Sequence, residues 1–187
     1  MKPRSLHQNS LLPFFFGVLL SLCLIACEPP PPQPSEVEPS WSPLIHLEDW
    51  QPAESFAPLA NKGWMDCPPG SIQIEGIALE VNSTYCSFAT FSSELPRDLE
   101  PGTSLRWQHW HLNLWAEEEA MGYVEFYVGD EQVHESQYII PGPADFEEVI
   151  IPITALVEAG TSLTFHFRNH GVNSWRFGAV EFLDELP

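Results

Sequence analysis

Residues 123–138 read Tyr123-Val-Glu-Phe-Tyr-Val-Gly-Asp-Glu-Gln-Val-His-Glu-Ser-Gln-Tyr138. In an extended chain successive side chains point to opposite faces. Val124, Phe126 and Val128 therefore share one face, and Tyr123, Glu125 and Tyr127 share the other. Gly129-Asp130 then offers the positive φ that tight hairpin turns require. The stretch predicts two antiparallel strands joined by a short turn.

Working outward, Pro141-Gly142-Pro143 breaks the chain, and Val149–Ile153 is a short β-branched run. Leu163–Arg168 and Trp175–Leu183 make two further strands. Ser71–Val81 carries Ile72, Ile74, Ile77, Leu79 and Val81, with Gly76 placed for a bulge or bend. Helical periodicity is scarce, and only Thr154–Glu158 suggests a single turn. Gly102-Thr-Ser-Leu105 and Gly160-Thr-Ser-Leu163 repeat ahead of aromatic strands, each marking a turn that delivers the chain into a strand. The repeat is too short to establish a duplicated domain. Strands at this spacing indicate an all-β sandwich or barrel.

The last part of the chain carries a family pattern. Ala159-Gly-x-x-Leu-x-Phe-x-Phe167 is followed by Asn173-Ser-Trp-Arg-Phe-Gly-Ala-Val-Glu-Phe182. This resembles the final strands of galactose-binding-like jelly rolls, the architecture of many carbohydrate-binding modules: a glycine turn, an apolar strand, a polar loop, and a strand with an early Trp. The resemblance implies a jelly-roll-like antiparallel β-sandwich, and it implies fold more than function.

The opening residues read differently. Lys2 and Arg4 precede an apolar run from Leu11 to Ala26, too short and too interrupted for a spanning helix. Leu24-Ile25-Ala26-Cys27 resembles the lipobox of bacterial lipoprotein signal peptides. That resemblance implies removal of 1–26, diacylglycerol on the Cys27 sulfur, and attachment to a bilayer through that residue. Two or more acyl chains anchor stably where one does not. Glu28 rather than Asp follows the cysteine, which in the same family implies outer-membrane delivery in the bacterial envelope, on the periplasmic or the surface face. Residues 27–43 are rich in proline and acid, so they read as an extended spacer. Residues 44–187 then suffice for one core and not obviously two.

The sequence contains 26 acidic and 7 basic residues, for a net charge of −19. Without 1–26, which carry two of the basic residues and no acidic one, it is −21. Such a field opposes nucleic acid and anionic lipid surfaces and suits neutral sugars or cations. It also simply keeps an exposed protein soluble. Of four cysteines, Cys23 leaves with the signal and Cys27 takes lipid, leaving Cys67 and Cys86 as a disulfide pair in an oxidising compartment. The closed loop of about 20 residues would contribute roughly 3 kcal/mol.

Seven tryptophans can stack on sugar rings or fill a core. Trp41 and Trp50 lie in or near the spacer, and Trp64, Trp107, Trp110, Trp115 and Trp175 in the domain. Within Trp107-Gln-His-Trp-His111, alternation groups Trp107, His109 and His111 on one face, with Trp110 opposite. His166 and His170 follow later, and a meeting of these segments would group three imidazoles around a divalent metal. His109-x-His111 with Glu117 downstream resembles the cupin motif, but its spacings depart from it and no second motif follows. Structural or ligand-contacting histidines are preferred, with no metal and no cofactor expected. The loop Asn169-His-Gly-Val-Asn-Ser174 leading into Trp175-Arg176 suits hydroxyl recognition, and it equally suits a turn capped by asparagine. Trp107, His109, His111, His170, Asn173, Trp175 and Arg176 are thus the candidate ligand contacts.

No nucleophile elbow, phosphate loop or calcium loop is present, and His134-Glu-Ser-Gln-Tyr138 lacks the second histidine of a zinc-protease helix. Glu117-Glu118-Glu119 reads as a solvated loop rather than paired glycosidase acids. The expectation is therefore a lipid-anchored, non-catalytic module for a carbohydrate or another surface ligand. A lipoprotein docking to an envelope protein and a histidine-metal enzyme are the alternatives.

Overall fold

The structure, a computed structural model, describes residues 40–53, 58 and 66–183. The described residues all belong to one compact unit, 37–187. The signal segment, Cys27, most of the spacer and Trp64 lie outside the described residues.

Among the described residues eleven strands follow one another: β1 (Ser42–Ile45), β2 (Gln51–Pro52), β3 (Ile72–Glu75), β4 (Ala78–Asn82), β5 (Phe88–Glu94) and β6 (Ser104–His111). After them come β7 (Ala120–Val128), β8 (Glu131–Ile140), β9 (Asp145–Pro152), β10 (Ser162–Asn169) and β11 (Ser174–Leu183). Leu47–Asp49 forms a 3-10 turn. Among the described residues no helix is long and apolar enough to cross a membrane.

The first sheet runs β3-β4-β11-β6-β9, with β1 also on β11, and the second runs β2-β5-β10-β7-β8. Every pairing is antiparallel. From β4 to β7 and from β8 to β11, each connection crosses to the other sheet. The result is a jelly-roll-like β-sandwich, as the strand pattern indicates.

The 123–138 hairpin is formed by β7 and β8, with Gly129 at φ 58° in the turn. Both Gly-Thr-Ser-Leu segments behave alike. Gly102 and Gly160 take φ values of 98° and 83°, and each chain then enters an interior strand, β6 or β10. Leu105 and Trp107 of β6 thereby face Leu163 and Phe165 of β10 across the core, all fully buried. The Trp107 ring lies 4.6 Å from Phe126, 5.5 Å from Phe165 and 6.0 Å from Phe177. Each such side chain contributes roughly 1.5–3 kcal/mol by leaving water.

Several details sharpen or correct the sequence reading. Of the bulge or bend read at Gly76, the bend is the one formed, a hairpin turn between β3 and β4 with Gly76 at φ 61°. Thr154–Glu158 forms no helical turn. Val157 instead exchanges both backbone hydrogen bonds with Leu99, at 2.9 and 3.0 Å. The sandwich also begins before residue 44, since Ser42 and Pro43 pair with β11. Trp41 lies over the Arg106 guanidinium, and Trp50 is buried against Phe165. A disulfide joins Cys67 to Cys86.

Trp107→Ala is expected to cost about 3–5 kcal/mol through lost burial and an unfilled cavity. Urea unfolding should show this as a lower midpoint with little change in slope.

Candidate functional site

Alternation on β6 groups Trp107, His109 and His111 as expected, but the face they share is the interior. Trp107, His109 and Trp175 are fully buried, and His111 nearly so. The His111 and Trp175 rings meet at 4.5 Å, and those of Trp107 and His109 at 5.0 Å. These four residues are core and offer no surface to a ligand. The physical reason is that β6 and β11 are interior strands, whose large inward side chains must fill the space between sheets.

The 169–174 loop is occupied by its own backbone. Asn169, buried, donates from Nδ2 to the Gly171 carbonyl at 2.5 Å. Asn173 Nδ2 donates to the Asn113 carbonyl, and its Oδ1 accepts from the Ser174 amide. Ser83 adds bonds to the Asn173 carbonyl from its amide and hydroxyl. Gly171 is required by packing. A Cβ there would come within 2.7 Å of Ile140 Cγ2 and 2.9 Å of the Trp115 carbonyl oxygen. His170 is exposed in the same loop. Asn173 therefore pins the loop, and the candidate residues do not converge on one concavity.

Arg176 leads to a different surface, the outer face of the first sheet. Register places Gln73, Glu80, Arg176, Trp110 and Phe146 side by side on five adjacent strands. At about 4.8 Å per strand the row spans roughly 19 Å. At one end the Trp110 and Phe146 rings lie 6.2 Å apart, tilted by 39°, with Phe146 exposed. In the middle of the row, Arg176 Nη2 lies 3.0 Å from Glu75 and 3.3 Å from Glu80. Burial alone would raise the Glu80 carboxyl, but hydrogen bonds from its neighbours and the Arg176 guanidinium hold it below the usual carboxylate value. The next row adds Gln108, which donates to Glu148 at 2.7 Å. An aromatic platform beside planar polar groups can stack on a flat apolar ring face and hydrogen-bond its hydroxyls. Trp110 was signalled by the same alternation that grouped its neighbours, but on the opposite face. Phe146 had no signal in sequence, where the β-branched run begins at Val149; in the structure the strand begins at Asp145.

A second polar cluster lies inside, at the open edge where β8 and β9 end their sheets. Its members are His109 on β6, His134, Ser136 and Tyr138 on β8, and Glu147 on β9. Tyr138 and Ser136 donate to Glu147 Oε2 at 2.7 and 2.6 Å. His134 Nε2 lies 2.7 Å from Ser136 Oγ and 3.3 Å from Glu147 Oε1, while His109 Nε2 lies 3.5 Å from Oε2. Burial above all pushes His109 down to about 3, the nearby His134 and His111 adding to it and Glu147 opposing. The His109–Glu147 contact is thus between a neutral ring and a carboxylate. Burial also lowers His134 and His111. Burial works against ionisation of Glu147, yet the Ser136 and Tyr138 hydrogen bonds and the adjacent imidazoles leave it below the usual carboxylate value. The Tyr138 hydroxyl is raised by burial and by its bond to Glu147.

The three-imidazole grouping of His109 and His111 with His166 or His170 does not form. Alternation on β10 sends Phe165 and Phe167 inward and His166 outward, where its Nδ1 lies 2.9 Å from Thr90 Oγ1. The histidine that meets His109 is His134. A surface groove of about 650 Å³ near β1 and β2 carries Glu48, Asp49 and Glu94 on its walls and no aromatic ring, so it provides nothing to stack on.

No protein-family model matches the chain, and no curated protein matches it by sequence. Solved structures similar to it include TmCBM27, a carbohydrate-binding module described for specific mannan recognition. Its TM-score is 0.49 at 10% identity, over 77% of this chain and 97% of that one. A point mutant of a family 29 carbohydrate-binding module gives 0.43 at 12% identity, over 78% and 92%. The family 11 module of the Clostridium thermocellum cellulosomal cellulase Lic26A-Cel5E gives 0.41 at 10% identity, over 79% and 96%.

Burial of His109 makes stability depend on pH. The unfolded ring takes a proton near 6.5, whereas the folded ring resists until about 3. Between these values the unfolded chain binds more protons, so stability falls as pH falls. Glu147, with its lowered carboxyl, acts in the same direction. Thermal melts of chelator-treated protein between about pH 7 and pH 4.5 should show a falling Tm, and His109→Gln should give a shallower slope.

Proposed function

We propose that this chain is a lipid-anchored, non-catalytic binding module that takes a neutral glycan on the outer face of its first sheet. The observation that carries the reading is the Trp110–Phe146 pair, standing in one cross-strand row with Arg176 and Glu80. Stacking on the rings supplies apolar contact, and the Arg176, Gln108 and Glu148 groups supply hydroxyl partners. The acidic charge of the chain disfavours anionic polysaccharides and leaves neutral ones as the fitting class. Anchoring rests on the resemblance of Leu24–Cys27 to a lipobox, with the proline-rich segment after it holding the sandwich off the bilayer.

Glycan-array screening followed by calorimetry tests the binding site. Trp110→Ala and Phe146→Ala are each expected to weaken a neutral oligosaccharide at least about tenfold, equivalent to roughly 1.4 kcal/mol. His170→Ala should leave affinity unchanged. The glycan reading fails if no neutral glycan binds, or if both aromatic variants bind as the parent does. A stoichiometric protein partner lost on Phe146→Ala would instead favour docking to another envelope protein. For the anchor, Cys27→Ser is expected to move the chain from the membrane to the soluble fraction on ultracentrifugation.

A further inference from the structure

We propose that His109, His134 and Glu147 form a binding site for a zinc-type divalent cation, which clips the two sheets together at their open edge. His109 and Glu147 belong to the first sheet and His134 to the second. One ligand atom from each lies within 4.8 Å of the others.

The spacing distinguishes ligation from hydrogen bonding. Around a tetrahedral ion with bonds of about 2.0–2.1 Å, neighbouring donor atoms sit roughly 3.3–3.4 Å apart. His134 Nε2 is 3.3 Å from Glu147 Oε1, and His109 Nε2 is 3.5 Å from Oε2. Both separations exceed the usual N–H···O range of about 2.7–3.2 Å. The carboxylate turns a different oxygen toward each ring, and the three ligand atoms lie within 4.8 Å of one another, so a small side-chain rotation brings both rings and one oxygen onto a common ion.

The second observation is independent of this spacing. His109 is fully buried, and its Nε2 has no hydrogen-bond partner among the described residues although it points into the cluster. An unsatisfied buried ring nitrogen costs free energy, of the order of 1–3 kcal/mol. Ligation removes that cost. Tyr138 completes the outer shell. Its hydroxyl donates to Glu147 Oε2, and its oxygen lies 3.5 Å from His109 Nδ1, close enough to orient the ring. With the proton on Nδ1, the Nε2 lone pair faces the ion, the arrangement that orients metal-binding histidines elsewhere. On binding, His134 Nε2 exchanges Ser136 for the ion, while Ser136 keeps its bond to Glu147.

Two imidazoles and one carboxylate suit zinc and its late first-row neighbours rather than calcium or magnesium, which prefer all-oxygen shells. The Glu147 side chain is 33% exposed and His134 18%, so an ion reaches the site from solvent between β8 and β9.

The test uses the full-length chain without an affinity tag, stripped with EDTA and dialysed against zinc, calcium or magnesium. One zinc per chain and a raised melting temperature are expected. His134→Gln and Glu147→Gln should each weaken zinc at least about 100-fold and abolish the thermal shift, with Tyr138→Phe losing about tenfold. His170→Ala should retain full stoichiometry. Because His134 and Glu147 are partly exposed, both variants are expected to melt cooperatively in EDTA. The proposal is overturned if no zinc is retained at about 100 µM, a concentration corresponding to weak binding. It is equally overturned if both variants bind zinc as the parent does, or if calcium binds as well as zinc. Glycan affinity is measured separately on the same samples, so the failure of either proposal is distinguishable.

Discussion

Trp107 touches Phe126 and Phe165 of the second sheet while stacking beside Phe177 of its own. Among the described residues the two sheets share no ladder of backbone hydrogen bonds, so what holds them face to face is apolar packing of this kind. Once Trp107 points inward, a period of two fixes its strand. His109 and His111 must follow it inside, and Gln108 and Trp110 must face outward. A slip of one residue would bury Gln108 and Trp110 and expose the indole at the centre of the core. The register of β6 therefore determines the interior polar cluster and the outer aromatic row together.

Forcing two histidines into the interior has a consequence for their surroundings. His111 is accommodated by aromatic contacts with Trp175 and Tyr138, and by a hydrogen bond from its ring nitrogen to the Leu112 carbonyl. His109 lies nearer the edge strand β9, where register brings it opposite Glu147. Glu147 is held by two hydroxyl donors from β8, so polar groups bridge the sheets where apolar packing thins toward solvent. A buried polar network is stabilising only when each member is satisfied. Here Nε2 of His109 is left over, as are Nε2 of His111 and the indole nitrogens of Trp50, Trp107 and Trp175 elsewhere in the core; what sets this edge apart is the Glu147 carboxylate beside the ring.

Much of the architecture was legible because strand periodicity is local. The β7–β8 hairpin, the paired Gly-Thr-Ser-Leu turns and the last two strands could be read from side-chain alternation and glycine alone. The cysteine pair followed from compartment and count. The face assignment was not legible. Alternation says that Trp107, His109 and His111 share a side, but which side is inner depends on what the opposite sheet presents, and that is set by residues far along the chain. The ligand role assigned to Trp107, His109, His111 and Trp175 failed for this reason. The loop asparagines misled for another. Asn173 carries the donors and acceptors that suit a hydroxyl, yet it spends them on Asn113, Ser174 and Ser83, partners up to 90 residues away. His134 and Glu147 meet across two sheets, and no spacing in sequence encodes that.

The sandwich has two flanks, and they are tied by different chemistry. Near the β3 edge, the Cys67–Cys86 disulfide holds the segment before β3 to the crossover between β4 and β5. Near the β9 edge there is no covalent link, and the sheets are joined by the His109–Glu147–Tyr138–His134 cluster. A disulfide acts mainly by restricting the unfolded chain, whereas a bound ion acts by adding free energy to the folded one in proportion to how far its concentration exceeds its dissociation constant. The β9 flank is therefore the side whose strength responds to cation concentration, while protons act on both, through Glu147 at one flank and Glu80 at the other. The outer row of Trp110, Phe146 and Arg176 rests on β6, β9 and β11, and two of those strands, β6 and β9, carry cluster residues on their inner faces. Tightening the inner cluster restrains the strands that position the outer rings. That is a mechanical route by which the interior edge bears on the exposed face without sharing an atom with it.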